Sequence, residues 1–140
     1  MLKMTKNMVE FYEKAAIIKK HLPAVVITNE HKIIYDEGRY YGLLLVDNGV
    51  GIYDHVILDK TMNNPEFITN VLNFVFSNCV VCNCFIDVKN KASCRYTQGV
   101  GFDFMGYLPY ADKTCAIYSM SIQKWLDNPI RKHYLERESN

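Results

Sequence analysis

The run CNCFIDVKNKASCRYTQGVGFDF, residues 82–104, decides how the rest of the chain is read. It opens on a β-rich apolar segment carrying Cys82, Cys84, Phe85, Ile86 and Val88, which stops at Asn90. A helix of about two turns follows, then a glycine break at Gly99-Val100-Gly101, and a second strand starts near Phe102. Asn90 stands where strand hands over to helix. Its side-chain oxygen can cap the free N–H groups of the first turn, and its amide can also reach a ligand.

Working upstream, Asn64-Pro65-Glu66 is a strong helix start, with a capping Asn, Pro at the first position and an acid in the first turn. Phe67, Ile68, Val71, Leu72, Val75 and Phe76 then recur at helical spacing, and Ser77-Asn78 ends the helix. This helix links a strand over 51–59 to the strand over 80–88. Such a crossover makes the two strands parallel. Residues 40–47 form a continuous apolar strand read as central, and Asp47-Asn48-Gly49 turns it into residues 51–59 as a hairpin. On that returning strand Tyr53, His55 and Ile57 share one face. Ile52, Val56 and Leu58 share the other, interrupted by Asp54.

Residues 7–21 read as the first helix, with Asn7 as cap and Glu10 as the return half of a capping box. Phe11, Ala15, Ile18 and Leu22 follow the helical repeat, Lys14, Lys19 and Lys20 are placed on a solvated face, and Pro23 stops the helix. A β-branched run over 24–28 and a turn over 29–31 lead to residues 32–35, read as a hairpin strand pairing back. A second turn over 36–38 precedes the central strand. Downstream, strands over 102–107 and 114–120 form an antiparallel hairpin at one edge, joined by a loop over 108–113. A helical turn over 121–126 folds Trp125 onto the body. The expected division is a single domain over 1–126 and a charged tail over 127–140.

The totals agree with one domain: 140 residues hold one core. A net charge of +1 argues against a nucleic-acid protein held by bulk electrostatics. No apolar run approaches the roughly 20 residues needed to cross a bilayer, and residues 1–6 lack an apolar signal core. Of five cysteines, Cys79, Cys82 and Cys84 crowd together. A metal or redox pair is one reading. The favoured one makes Cys82 and Cys84 small hydrophobes on one face of a buried strand, with no metal site. Free thiols in this number suit a reducing cytosol.

The spacing of Asn90, Ser93 and Arg95 ahead of Gly101-Phe102, placed between two strands and behind a crossover helix, resembles the closing motif of the GCN5-related N-acetyltransferase (GNAT) superfamily. Ile117-Tyr118-Ser119-Met120 followed by Trp125 is similar to the end of such domains, and the chain looks most like small members from tailed phages. The resemblance implies an α/β (α+β) fold: a mixed central sheet with antiparallel N-terminal strands, a parallel crossover pair and flanking helices. It further implies acetyl-CoA lying between splayed parallel strands, with Val56, Ile57 and Leu58 on one side and Asn90 and Ser93 on the other. Lys60, Asn63 and Asn64 stand where the family has a glycine-rich phosphate loop, [QR]-x-x-G-x-[GA]. Here that loop has no glycine, and Pro65 removes an N–H donor.

Under the same resemblance the catalytic candidates are His55, Asp54 and Asp59 as bases, with Tyr118 or Tyr107 as proton donor. The family's tyrosine acid falls on Thr97, with Tyr96 beside it expected in the core. Two functions follow. One is an acyl-CoA-dependent N-acyltransferase acting on an amine. The alternative is a non-catalytic GNAT-fold phage protein, a virion component or a binder of a host protein, with Tyr40, Tyr41, Trp125 and Tyr134 as candidate contact points, although ordinary packing is the favoured account of most of them. Either is expected in the host cytoplasm or the virion. A small mixed α/β domain unrelated to this superfamily is the third reading, and oligomeric state stays open.

Overall fold

A computed structural model describes residues 1–110 and 112–139. Strands β1 (Lys3–Met4), β2 (Lys32–Asp36), β3 (Tyr40–Asp47), β4 (Val50–Ile57), β5 (Val81–Asp87), β6 (Asp103–Tyr110) and β7 (Lys113–Ser121) form one seven-stranded sheet in the order β1-β2-β3-β4-β5-β7-β6. All neighbours are antiparallel except β4 and β5, which run parallel as the crossover requires. Helices α1 (Met8–His21), α2 (Pro65–Phe76), α3 (Lys91–Val100), α4 (Ile122–Leu126) and α5 (Pro129–Ser139) flank it. This is the mixed sheet with flanking helices expected from the sequence.

Each face of the sheet has its own core. On one, Phe11, Ala15 and Ile18 of α1 pack onto Ile33, Tyr35, Tyr41 and Leu43. On the other, Phe67, Val71 and Val75 of α2 join Leu44, Tyr53, Cys82, Tyr118, Met120 and Trp125. The alternation of side chains along β3 sends Tyr41 and Leu43 to the first core and Tyr40 and Leu44 to the second, so the apolar run of β3 is buried on both faces. Asn7 Oδ1 caps α1 by accepting from the Glu10 N–H at 2.9 Å. The Glu10 carboxylate does not close the box. It accepts from the Tyr35 hydroxyl at 2.5 Å and so ties α1 to β2.

Several expectations are corrected. Residues 24–28 form no strand, and β2 pairs with β1 and β3 instead; a two-residue strand such as β1 carries no readable alternation. Lys14 is not solvated. It is 7% exposed, bonded to Glu37 at 2.5 Å and stacked 4.6 Å over the Tyr35 ring, its long stem reaching outward through the core. Within the expected glycine break the helix ends at Gly101, with φ of 121°, while Gly99 still lies inside α3. The edge hairpin is longer than expected and its loop shorter. The loop placed over 108–113 contains Pro109 and Tyr110 of β6 and Lys113 of β7, while Ala111 lies outside the described residues. Pro109 is tolerated because β6 is an edge strand.

Trp125 is buried (1% exposed) and donates from Nε1 to Asn73 Oδ1 at 3.0 Å. Tyr40 and Tyr41 are buried as well, so packing and not surface contact accounts for these three; Tyr134 is half-buried. The charged tail begins as part of the body. Asn128 is 3% exposed, donates to the Val100 carbonyl at 2.8 Å and accepts from the Ile130 N–H at 2.8 Å, and α5 lies against α2. The tail's last residue, Asn140, lies outside the described residues. Among the described residues no helix is long and apolar enough to cross a membrane.

Candidate functional site

The parallel pair is joined over only three positions, Val50–Val81, Gly51–Cys82 and Ile52–Asn83. Beyond them the two strands part. β4 stays with β3 as far as Ile57, and β5 stays with β7 as far as Asp87. Backbone direction alternates along a strand. The Gly49 carbonyl accepts from Val80 and Val81, whereas the Leu58 N–H donates back to Arg39 on the β3 side. The main-chain groups of Tyr53, His55 and Ile57 therefore face the split. On β5 the Val88 N–H donates to Thr114 on the β7 side, which leaves Phe85 and Asp87 facing β4. Two strand edges with unused donors and acceptors thus line a wedge, the geometry an extended amide-bearing chain fills as an added strand.

A cavity of about 260 Å³ occupies the wedge and passes through the sheet. On the α1 side it is lined by Leu22, Asp54, Phe85 and Asp87. The opposite side carries Tyr40, Tyr53 and His55 with Phe67 of α2, and Asn90, Ser93 and Tyr96 at and within α3. The lining holds no Lys or Arg. With two carboxylates on the α1 side, the electrostatics there favour a cationic visitor.

Asp54 is the clearest chemical group. It is half-buried, and burial alone pushes its carboxyl above the usual carboxylate range. Among the described residues no side-chain or backbone donor serves it, so its proton affinity is unspent. Tyr96 lines the cavity rather than the closed core; burial pushes its phenol up to about 12, so it remains protonated at neutral pH. The rings of Tyr96 and His55 lie 6.2 Å apart. His55 is uncharged at neutral pH, because burial with no acidic partner pushes it down to about 4.

The remaining expected residues divide. Asn90 and Ser93 line the cavity, with Asn90 Oδ1 accepting from the Ser93 N–H at 3.2 Å. Of Val56, Ile57 and Leu58, only Ile57 turns its backbone to the split, since the other two point to β3; no side chain of the three reaches the cavity. Asp59 does not line the cavity either. It pairs with Arg39 at 2.9 Å and caps the 3-10 turn Lys60–Met62 through Thr61, contacts that hold its carboxyl below the usual range. Tyr118 is buried against Phe104, away from the cavity, and Tyr107 is exposed on the edge strand. Thr97 lines the cavity, but its hydroxyl is spent on the Ser93 carbonyl at 2.8 Å.

Lys60, Asn63 and Asn64 also stay outside the cavity lining. At the start of α2, Asn64 Oδ1 takes the Phe67 N–H at 2.9 Å and its carbonyl takes the Ile68 N–H at 3.0 Å. Pro65 has no N–H, which leaves that of Glu66, beside its own carboxylate. Little remains there to hold a phosphate. Among the described residues no group of three or more His, Cys, Asp or Glu is placed to hold a metal ion. The stripe Ser93, Tyr96, Thr97, Val100 at helical spacing was the available signal for Tyr96. Asp54 and Asp87 needed the split itself.

Solved structures share this architecture at low identity. The aminoglycoside N(6')-acetyltransferase from Legionella pneumophila is 11% identical over 90% of this chain and 95% of its own, with a TM-score of 0.65. Aminoglycoside acetyltransferase AAC(6')-Ib, in complex with coenzyme A and kanamycin, is 12% identical over 91% and 98%, with a TM-score of 0.61. An acetyltransferase of the GNAT family from Streptococcus pneumoniae is 9% identical over 86% and 99%, with a TM-score of 0.59. The fold is that of the GNAT acetyltransferases. No protein-family model and no curated protein sequence matches the chain.

Proposed function

We propose that this protein is an N-acyltransferase that moves an acyl group from a pantetheine-type thioester, such as acetyl-CoA, to an amine. The observation that carries the reading is the split between β4 and β5, with unused strand edges on both sides and Asp54 and Tyr96 bordering one cavity. The edges of Tyr53, His55 and Ile57 suit the amides of a pantetheine arm. The acidic α1 side suits a protonated amine on its way in.

In the reaction, the amine nitrogen forms the C–N bond to the thioester carbonyl and the C–S bond breaks. Asp54, its carboxyl raised by burial, takes the proton that the nitrogen loses. The Tyr96 hydroxyl protonates the departing sulfur, and solvent resets both groups. Asn90 and Ser93 hold the donor from the α3 side. The coenzyme A bound by AAC(6')-Ib carries a diphosphate as well as a thiol arm. In this chain the arm has a place, but the self-capped start of α2 does not fit the diphosphate. Donor recognition therefore rests on the thioester and its arm.

Thermal shift with acetyl-CoA and with acetyl-pantetheine tests this. Ligand at 100 times its Kd adds about 2.7 kcal/mol of stability. The expected result is comparable shifts with both donors, each cut to about half by the tenfold weaker binding of Asn90→Ala. No shift with either at millimolar concentration removes the acyltransferase reading. The closed α2 end then favours the second one, a GNAT-fold binding protein without catalysis, such as a phage virion component or host-protein binder.

A further inference from the structure

Three aromatic side chains on the cavity's β3–β4 wall form a chain of polar contacts. The Tyr53 and Tyr40 hydroxyls are hydrogen-bonded to each other, and the Tyr40 hydroxyl meets His55 Nδ1 at 3.2 Å. Both tyrosines are buried, so each O–H needs an acceptor within the protein. Only one arrangement provides both. Tyr53 donates to Tyr40, Tyr40 donates to His55 Nδ1, and the imidazole carries its proton on Nε2. In the reverse order, with His55 donating from Nδ1, the Tyr53 proton would be left in the core with no acceptor.

The site is built to hold this chain. Gly42 lies directly opposite His55 in the β3–β4 register. A Cβ at Gly42 would fall 2.0 Å from the Tyr53 hydroxyl, so the glycine makes room for the donor that starts the relay. Among the described residues the titratable groups facing the three rings are Tyr96, Cys82 and Cys84, with no carboxylate among them. Asp54 projects from the opposite face of β4. Nothing beside the ring would hold an imidazolium. Among the described residues His55 Nε2 has no hydrogen-bond partner. Among the described residues, the one sealed side-chain N or O atom without a partner is Thr69 Oγ1. His55 Nε2 is therefore not sealed, and its residue is one of those that line the cavity.

We infer that His55 acts as a fixed, neutral hydrogen-bond donor, its Nε2–H presented to a carbonyl oxygen in the cleft and its tautomer set by Tyr53 and Tyr40. This rests on the acyl-transfer reading for the identity of the carbonyl, that of the thioester. It changes what the histidine does. It is no longer the base; it stabilises the negative charge that grows on the carbonyl oxygen as the amine adds. Tyr40 and Tyr53 are positioning residues that touch no substrate. The His55 proton stays on Nε2 throughout, so the proton balance between Asp54 and Tyr96 is untouched.

Two measurements on the full chain test this. Imidazole ¹⁵N NMR reads the tautomer directly, with or without turnover. The expected spectrum shows His55 protonated at Nε2 and free at Nδ1 from pH 8 to pH 5, and a mixed tautomer in Tyr40→Phe. A ring protonated at Nδ1, or an imidazolium titrating near pH 6.5, overturns the inference. Steady-state kinetics with acetyl-pantetheine and a primary amine supplies the second readout. His55→Gln keeps an N–H near the Nε2 position and is expected to hold kcat within about fivefold. His55→Leu is expected to lose about a hundredfold in kcat with KM little changed, the loss typical of one oxyanion donor. Unchanged kcat in His55→Leu overturns the inference while leaving the acyltransferase standing. A wild-type protein that turns over no thioester removes the acyltransferase, and with it the carbonyl assigned to the donor, even where the tautomer is found as expected.

Discussion

Two helices begin just beyond the C-terminal ends of the two parallel strands, and both are capped by asparagine. Asn64 caps α2 at 2.9 Å and Asn90 caps α3 at 3.2 Å. Local chemistry treats the two ends alike, yet only Asn90 borders the cavity. The α3 end opens with Lys91 and no acid, whereas α2 opens with Pro65 and Glu66. A helix N-terminus is an anion site only when its N–H groups are unspent and unopposed. In this protein the α2 end is spent on itself, and under the proposed acyl transfer recognition falls to the strand edges and the α3 side.

The sharpest way to break that contrast is to remove charge at each place. Asp54→Ala is expected to lower kcat for amine acylation about a thousandfold, the range for a lost general base, with the KM for thioester little changed. Glu66→Ala, at the α2 end, is expected to change kcat/KM less than twofold. A large gain in acetyl-CoA affinity from Glu66→Ala would mean that the α2 end already reads phosphate and only repulsion holds it back.

The contrast also marks what the sequence could show. Both caps were legible from Asn followed by helical periodicity, as were the crossover helix, the parallel pair and Asn90 at the strand end. These are local rules, and they hold wherever they occur. The cavity is a product of where β4 and β5 stop pairing, which no window of residues contains. That is why Val56 and Leu58 looked like lining although their backbone points to β3, and why Tyr96 looked like core. It is also why Asp59 looked like a base. Its pairing with Arg39, 20 residues away, depends on the β3–β4 register. Lys14 misled for the same reason: its partner Glu37 lies 23 residues along the chain, in the turn before β3.

A second, smaller effect separates the β4 wall from both helix ends. The folded pKa of His55, about 4, lies below the ordinary value of 6.5. Between those values the unfolded chain binds more protons than the native one. Stability is therefore full above pH 6.5 and falls as pH drops toward 4. From pH 7.5 to pH 5 the loss attributable to His55 is about 2 kcal/mol. His31, also lowered by burial, adds in the same direction, and Asp54, raised by burial, acts in the opposite one. Glu10, Glu37 and Asp59 are held low and weaken the fold only below their unfolded pKa values, outside this window. Urea unfolding of wild type and His55→Gln at both pH values isolates the histidine. Equal losses in the two proteins would show that His55 is not held neutral, and would return the β4 wall to the same footing as the solvated helix ends.

The smallest expected effect bears most directly on the two asparagines. Each caps a first turn with one hydrogen bond, so Asn64→Ala and Asn90→Ala should each cost about 1 kcal/mol in urea unfolding. Equal costs are what local chemistry demands, and they make the pair a matched control for ligand binding. If the α3 end holds the donor and the α2 end only closes its own helix, Asn90→Ala weakens acetyl-pantetheine binding by about tenfold, the worth of one lost hydrogen bond. Asn64→Ala then leaves binding within about twofold. Moving the probe to acetyl-CoA adds the diphosphate and should leave the ratio between the two variants unchanged. A ratio that shifts toward Asn64→Ala with acetyl-CoA alone would place the diphosphate at α2 after all, and the two helix ends would then differ in which part of one donor they hold.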